Sequence, residues 1–507
     1  MKIVFVNCVF HETKMMSYPI GLVSLGTILK KAGHNVEIVD FTALFHDGLI
    51  SKEEFHRIDV DVFVNYIKVL DPDVVSFLTT MCYTHIQIAM AKRLKEWKPS
   101  VKIIFAGPHA SSCAREFLEI FPFIDIIAMG EGELIVEDLM IGISQDKDIS
   151  WISGIASRDS KGNIIVNSGP PLLRDLNQLP IADLELFPAV YHHKFFHIEA
   201  GRGCPHQCTY CSTSAFWKRK YRLKSISRIL SEIDTFKTLH GFKDFYFMHD
   251  SLSTDPSQLK ELCKGIIDHQ FNIQWGMMGR IDNLDEENIR LLKESGCIDI
   301  TIGIESGSPR IQEEIKKRLN FDETEKNLRL LNQYKIPVAL TFIYNFPDET
   351  EEDLRATLKM IDRYLRTDGL SECGIGNLLY NSGAEITEKN LHRLKFNQEL
   401  MSQLYDEEYV EMFRNSPKIF SHMWYLEENK YPMFELFVNQ VLCPIYFGNS
   451  EHYKKILSSF NNDPFRMYYR LREIGILDQL NKDELITAST PESFKRMIAL
   501  ITNIWPL

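Results

Sequence analysis

Gly203-Cys204-Pro205-His206-Gln207-Cys208-Thr209-Tyr210-Cys211 places three cysteines at C-x3-C-x2-C spacing on one short loop. Three thiolates so spaced can hold three irons of a cubane cluster, and the fourth iron, with no protein ligand, is left open to a substrate. A zinc knuckle is the alternative, but zinc sites close with a fourth Cys or His, usually in a second paired motif downstream. Here the next cysteine is Cys263, alone, and His240 and His249 stand at no matching spacing, which leaves His206 inside the loop as the available fourth ligand. The missing second pair favours a 4Fe-4S cluster on Cys204, Cys208 and Cys211.

Outward from this loop, short apolar runs at 195–200, 244–248, 273–278, 298–304 and 338–343 alternate with helical patterns, the repeat of a β/α barrel or part of one. Chemistry in such barrels gathers at the carboxyl ends of the strands. Cys204, Asp250, Arg280, Glu305 and Asn345 fall there. Upstream, runs at 3–6, 36–39, 74–78, 103–106 and 124–128, with helical patterns at 21–32 and 85–97, read as a doubly wound parallel sheet. Its ligand belongs beyond the strand ends, at Thr79, Gly107-Pro108-His109 and Gly130-Glu131-Gly132, where glycine lets a ligand approach the backbone.

The cysteine loop resembles the signature of the radical S-adenosylmethionine (SAM) enzymes. In that family the open iron chelates the amino and carboxylate groups of SAM, and one electron from the cluster cleaves the sulfonium to a 5′-deoxyadenosyl radical. The resemblance implies further roles. Tyr210 would approach the adenine. Phe245-Tyr246-Phe247-Met248-His249-Asp250 is similar to a second-strand motif that usually ends in two aspartates, with His249 in place of the first. Arg280 would meet the SAM carboxylate and Glu305 a hydroxyl or ammonium of the same molecule. Phe342-Ile343-Tyr344-Asn345-Phe346-Pro347 would hold adenine through backbone groups, with Asn345 where glycine is usual. Taken singly, Asp250, Arg280 and Glu305 read equally well as loop salt bridges.

The upstream phrases Tyr18-Pro19-Ile20-Gly21-Leu22, Ala32-Gly33-His34, Asp71-Pro72-Asp73, Gly107-Pro108-His109 and Gly130-Glu131-Gly132-Glu133 resemble the cobalamin-binding domain of one large branch of these enzymes. No D-x-H-x-x-G motif is present. The resemblance therefore implies base-off cobalamin without a histidine below the cobalt, and His109 reads as a loop packing residue. A nicotinamide cofactor is disfavoured because no G-x-G-x-x-G follows the first strand. The fold alone also requires buried strands and loop glycines, so a domain that binds nothing stays open.

The implied architecture is α/β: a Rossmann-like cobalamin-binding domain at 1–150, a proline-rich linker at 151–192, a radical SAM partial barrel at 193–384 and a mainly helical domain at 385–507. The last part carries Trp424, Tyr425, Tyr431, Phe434, Phe437, Tyr446 and Phe447, an aromatic set that reads as core with some members free to cap the barrel mouth. A net charge of −12 argues against a nucleic-acid groove. The basic run Lys218-Arg219-Lys220-Tyr221-Arg222, with Lys224, reads as a solvated face or an anion contact. The cysteines outside the loop are scattered singly, which is no disulfide framework, and no apolar stretch is long enough to span a membrane. Both features suit a reducing cytoplasm.

The expected activity is a cobalamin-dependent radical SAM methyltransferase acting on an unactivated carbon of a natural product, lipid or peptide precursor, with flavodoxin or ferredoxin as the implied electron donor. Ring contraction, cyclisation or carbon–carbon bond formation with the same cofactors is a second outcome. A cobalamin-free radical SAM enzyme and a non-catalytic cluster-binding protein are further alternatives.

Overall fold

Short apolar runs can stay buried on both faces only if helices cover both sides of the sheet they form. The computed structural model builds this arrangement, and describes residues 1–9, 18–169, 172–193, 195–366, 370–426, 434–443 and 450–477. Contacts divide the chain into one unit of residues 1–250 with 380–425 and another of 251–379 with 426–507. The expected strands and the two expected upstream helices all form, within two residues of their expected bounds.

In the first unit β1 (Lys2–Asn7), β2 (Asn35–Asp40), β3 (Val74–Leu78), β4 (Lys102–Ala106) and β5 (Ile126–Ala128) pair in parallel in the order β2-β1-β3-β4-β5. Alternate residues face opposite ways. Val4, Val6, Phe77 and Phe105 enter one apolar core, and Ile3, Phe5, Val74 and Ile104 the other. Winding reverses between β1 and β3, so their carboxyl ends frame the crevice where such sheets take ligands.

Two strands lie inside the stretch read from sequence as a linker. β6 (Ile155–Arg158) and β7 (Ile164–Val166) extend the sheet antiparallel beyond β5. Arg158 pins this extension by donating to the carbonyls of Ile124 at 2.7 Å and Phe121 at 3.3 Å.

Downstream in the same unit, β8 (Phe196–Glu199) pairs in parallel with β11 (Asp244–Met248), and β9 (Gly201–Arg202) pairs antiparallel with β10 (Arg222–Leu223). The intervening helix Ile226–His240 begins where the Ser225 hydroxyl accepts the Arg228 N–H and stops at Gly241, whose φ of 75° is left-handed. Residues 380–425 return to this unit, and Phe413, Ile419 and Phe420 are fully buried in the first core. The stretch 385–507 is thus divided between the two units.

The second unit carries β12 (Gln274–Gly279), β13 (Cys297–Glu305), β14 (Val338–Tyr344) and β15 (Leu370–Asn377), parallel and in sequence order. A capping box of Thr350 and Asp353 starts the helix Glu351–Leu365 that follows β14. Phe434 and Phe437 are fully buried against Tyr468. Tyr431, Tyr446 and Phe447 lie outside the described residues. No helix among the described residues is long and apolar enough to cross a membrane.

Candidate functional site

The cysteine loop is held from three directions. Gly203 sits at φ 85°, and a Cβ there would collide with the Lys220 carbonyl, so glycine alone fits. Its N–H donates to Asp250 Oδ2 at 2.6 Å, which ties the loop to the end of β11. The Thr209 carbonyl, between the second and third cysteines, accepts the Ile386 N–H at 2.9 Å from the returning segment. Cys204, Cys208, Tyr210 and Cys211 are all half-buried. Among the described residues no three Cys, His, Asp or Glu side chains are grouped around a single ion-sized point. Three thiols that each bind a different iron of a cubane have no need of such a point, so the loop fits a cluster.

At the strand ends of the seven-stranded sheet lies an apolar cavity of about 300 Å³. Phe5, Leu78 and Ala106 supply strand-end walls, and Gly107, Pro108, Gly130, Glu131 and Gly132 form loops around it. Gly107 has φ 102° and ψ 178°, a region open to glycine, and a Cβ there would lie 3.0 Å from Leu78 and 3.3 Å from the Thr79 carbonyl. Thr79 and His109 are not among the lining residues. Thr79 Oγ1 instead donates to the Ala106 carbonyl at 2.7 Å and accepts the Ala110 N–H at 3.0 Å, stapling β4 to the next helix. His109 packs edge-on against Phe117, and burial pushes its imidazole down to about 4. An apolar slot floored by glycine-rich loops fits a corrinoid: glycine would let a ring edge approach the backbone, and the slot would admit a flat apolar group.

On the polar side of this cavity the sequence reading named Glu131 but missed the arginines that hold it. Arg202, just before the cysteine loop, donates to Glu131 at 2.7 Å, Glu133 at 2.6 Å and Glu199 at 2.7 Å. Arg222 donates to both oxygens of Glu131, at 3.0 and 2.8 Å, and to the Leu173 carbonyl. Arg202, Glu131 and Glu133 are nearly devoid of solvent. Burial opposes the Glu131 charge, but hydrogen bonds from Arg222 and Arg202 outweigh it and hold the carboxyl below its ordinary value. The ring of Trp217 lies beneath both guanidiniums, at 5.7 Å from Arg202 and 5.4 Å from Arg222. Lys218, Arg219 and Lys220 of the basic run are exposed, whereas Lys224 is buried against Glu232 at 2.8 Å.

In the second unit Arg280, Glu305 and Asn345 stand at the carboxyl ends of β12, β13 and β14. Arg280 donates to Asp282 at 3.0 and 2.7 Å and to the Lys317 carbonyl at 3.0 Å. Glu305 pairs with Lys317 at 3.1 Å, both nearly buried. Glu305 at φ 70° and Asn345 at φ 68° hold left-handed backbone without being glycine, and such strain collects at functional sites. The Asn345 N–H is satisfied by Glu349 at 2.7 Å. These residues offer backbone groups and paired charges of the kind that bind a zwitterionic nucleoside, which fits SAM.

A family model described as the radical SAM superfamily matches residues 198–361, and one described as a B12 binding domain matches residues 6–140. An uncharacterized methyltransferase of Pyrococcus horikoshii is 27% identical over 345 residues, covering 67% of this chain and 72% of that protein. The anaerobic magnesium-protoporphyrin IX monomethyl ester cyclase of Rubrivivax gelatinosus is 25% identical; the alignment covers 65% of this chain but 59% of the cyclase. Among solved structures, the radical SAM methyltransferase TsrM of Kitasatospora setae, with cobalamin and a 4Fe-4S cluster bound, superposes with a TM-score of 0.63 at 17% identity, over 78% of this chain and 80% of that one. That likeness is one of fold.

Proposed function

We propose that this chain, which belongs to the radical SAM superfamily and carries a B12-binding domain, is a methyltransferase that moves a methyl group from SAM to a carbon of a small molecule. The cavity carries the reading: its walls come from the B12-type sheet, and the arginine before the first cluster cysteine forms part of its rim. When bound, the cluster and SAM supply a radical that takes hydrogen from carbon, and the corrinoid supplies the methyl group.

The residues hold and orient these groups. Cys204, Cys208 and Cys211 leave one iron open for SAM. By the resemblance, Arg280 would meet the SAM carboxylate, Glu305 a hydroxyl or ammonium, the Asn345 backbone the adenine, and Tyr210 would approach the adenine. His109, packed against Phe117 and absent from the cavity lining, would give the cobalt no imidazole, so a corrinoid here would be held base-off. Gly107 and Gly130 admit the ring edge. An electron donor of the flavodoxin or ferredoxin class, within the cytoplasm, completes the scheme.

Similarity to the cyclase favours a second reading, in which the same cofactors make a ring without methyl transfer. Anaerobic reconstitution, with iron, sulfide and corrinoid counted per chain, tests the cofactor set: four irons and one corrinoid are expected, and a chain that takes up no corrinoid contradicts the proposal. Release of S-adenosylhomocysteine distinguishes methyl transfer from cyclisation.

A further inference from the structure

We propose that Arg202 couples the cavity to the cluster loop, so that a corrinoid and a cluster each bind more tightly when the other is present. The inference rests on the reading that the cavity takes a corrinoid, and goes beyond it by assigning a positioning role to a residue outside the expected sites.

The cysteine loop is joined to the cavity at both of its ends. Before the first cysteine, Arg202 grips Glu131 and Glu133 on the glycine loop and Glu199 at the end of β8. After the third, the helix Ser212–Phe216 and its C-cap Trp217 bring Phe216 and Trp217 to the cavity wall. Arg202 lies over Trp217, so the two attachments also touch each other. A ligand filling the cavity therefore meets the side chains that fix where the loop starts and where it ends. Ordering them for one ligand lowers the cost of ordering them for the other, and the effect on the two affinities is reciprocal. The guanidinium fork is suited to this, since its N–H groups, fixed in one plane, reach three carboxylates where an ammonium would hold them loosely. A purely structural ion network would change stability without linking the two affinities.

The test is hydroxocobalamin titration, followed by absorbance under anaerobic conditions, on protein with the cluster reconstituted and on the same protein stripped of iron. Wild type is expected to bind at least roughly 5-fold more tightly with the cluster present. Arg202→Lys is expected to bring that ratio close to one. Glu133→Gln, which leaves Arg202 paired with Glu131 and Glu199, is expected to reduce it, and decides the matter if the lysine variant does not fold. A wild-type ratio near one, or a ratio unchanged in the folded variants, overturns the inference while leaving the functional reading in place. Wild type that binds no corrinoid in either state overturns the functional reading, and the inference with it.

Discussion

Glu349 closes the turn after β14 by accepting the Asn345 N–H, and its other carboxyl oxygen is buried without a hydrogen-bond partner. Burial, the largest influence, raises its carboxyl from 4.5 to about 7. The folded protein thus holds this proton more tightly than the unfolded chain. The contribution is fully present below the unfolded value and is lost as pH rises through the folded one. Glutamine keeps the acceptor oxygen and does not titrate. Relative to wild type, Glu349→Gln is expected to gain about 2 to 3 kcal/mol between about pH 5 and about pH 8. Paired thermal melts at the two pH values measure this, and an equal difference at both contradicts it. For His109, whose imidazole lies in the core beside Phe117, His109→Ala is expected to keep its corrinoid. The electron paramagnetic resonance spectrum of the cob(II)alamin form should lack nitrogen superhyperfine splitting from an axial base in both proteins. At this scale the cysteines were legible because their ligand spacing is local. Glu131 was named from its glycine loop, but its pairing with Arg202 was not legible, because the two are 71 residues apart and meet only through the fold. Arg222 was hidden in a basic run whose neighbours Lys218, Arg219 and Lys220 are solvated.

Among the elements, the glycine loop after β4 bears most directly on the cavity. Gly107→Ala would force a side chain into backbone space that glycine alone occupies freely, against Leu78 and the Thr79 carbonyl. A loss of about 1 to 3 kcal/mol in denaturant unfolding is expected, together with weaker corrinoid retention. Unchanged stability would mean that the loop relaxes and that its conformation is not imposed. Strands buried on both faces, such as β3 and β4, write themselves as apolar runs between turn residues, so their positions could be read directly. β6 and β7 could not. They are only four and three residues long, extend the sheet at its edge, and are fixed by Arg158 contacts to carbonyls far back in the chain. The return of residues 380–425 to the first unit was likewise invisible, since Phe413, Ile419 and Phe420 look like ordinary core residues until Phe413 is seen against His85 and all three in the core that holds Phe77 and Phe105.

For the whole molecule, a B12-type sheet and a three-cysteine loop in one chain matter because, in the proposed reaction, radical generation and methyl supply serve the same carbon. The first unit joins the cavity to the cluster loop through buried charge pairs. The second offers Arg280, Glu305 and Asn345 at its strand ends, the residues proposed to meet SAM. The most direct measurement is the fate of SAM in anaerobically reconstituted, hydroxocobalamin-loaded protein under a strong reductant, with 5′-deoxyadenosine and S-adenosylhomocysteine both quantified. Wild type is expected to release both, and Cys208→Ala, folded but short of a cluster ligand, to lose the deoxyadenosine. Wild type with four irons that makes no deoxyadenosine, or a Cys208→Ala protein that makes as much as wild type, would contradict the assignment.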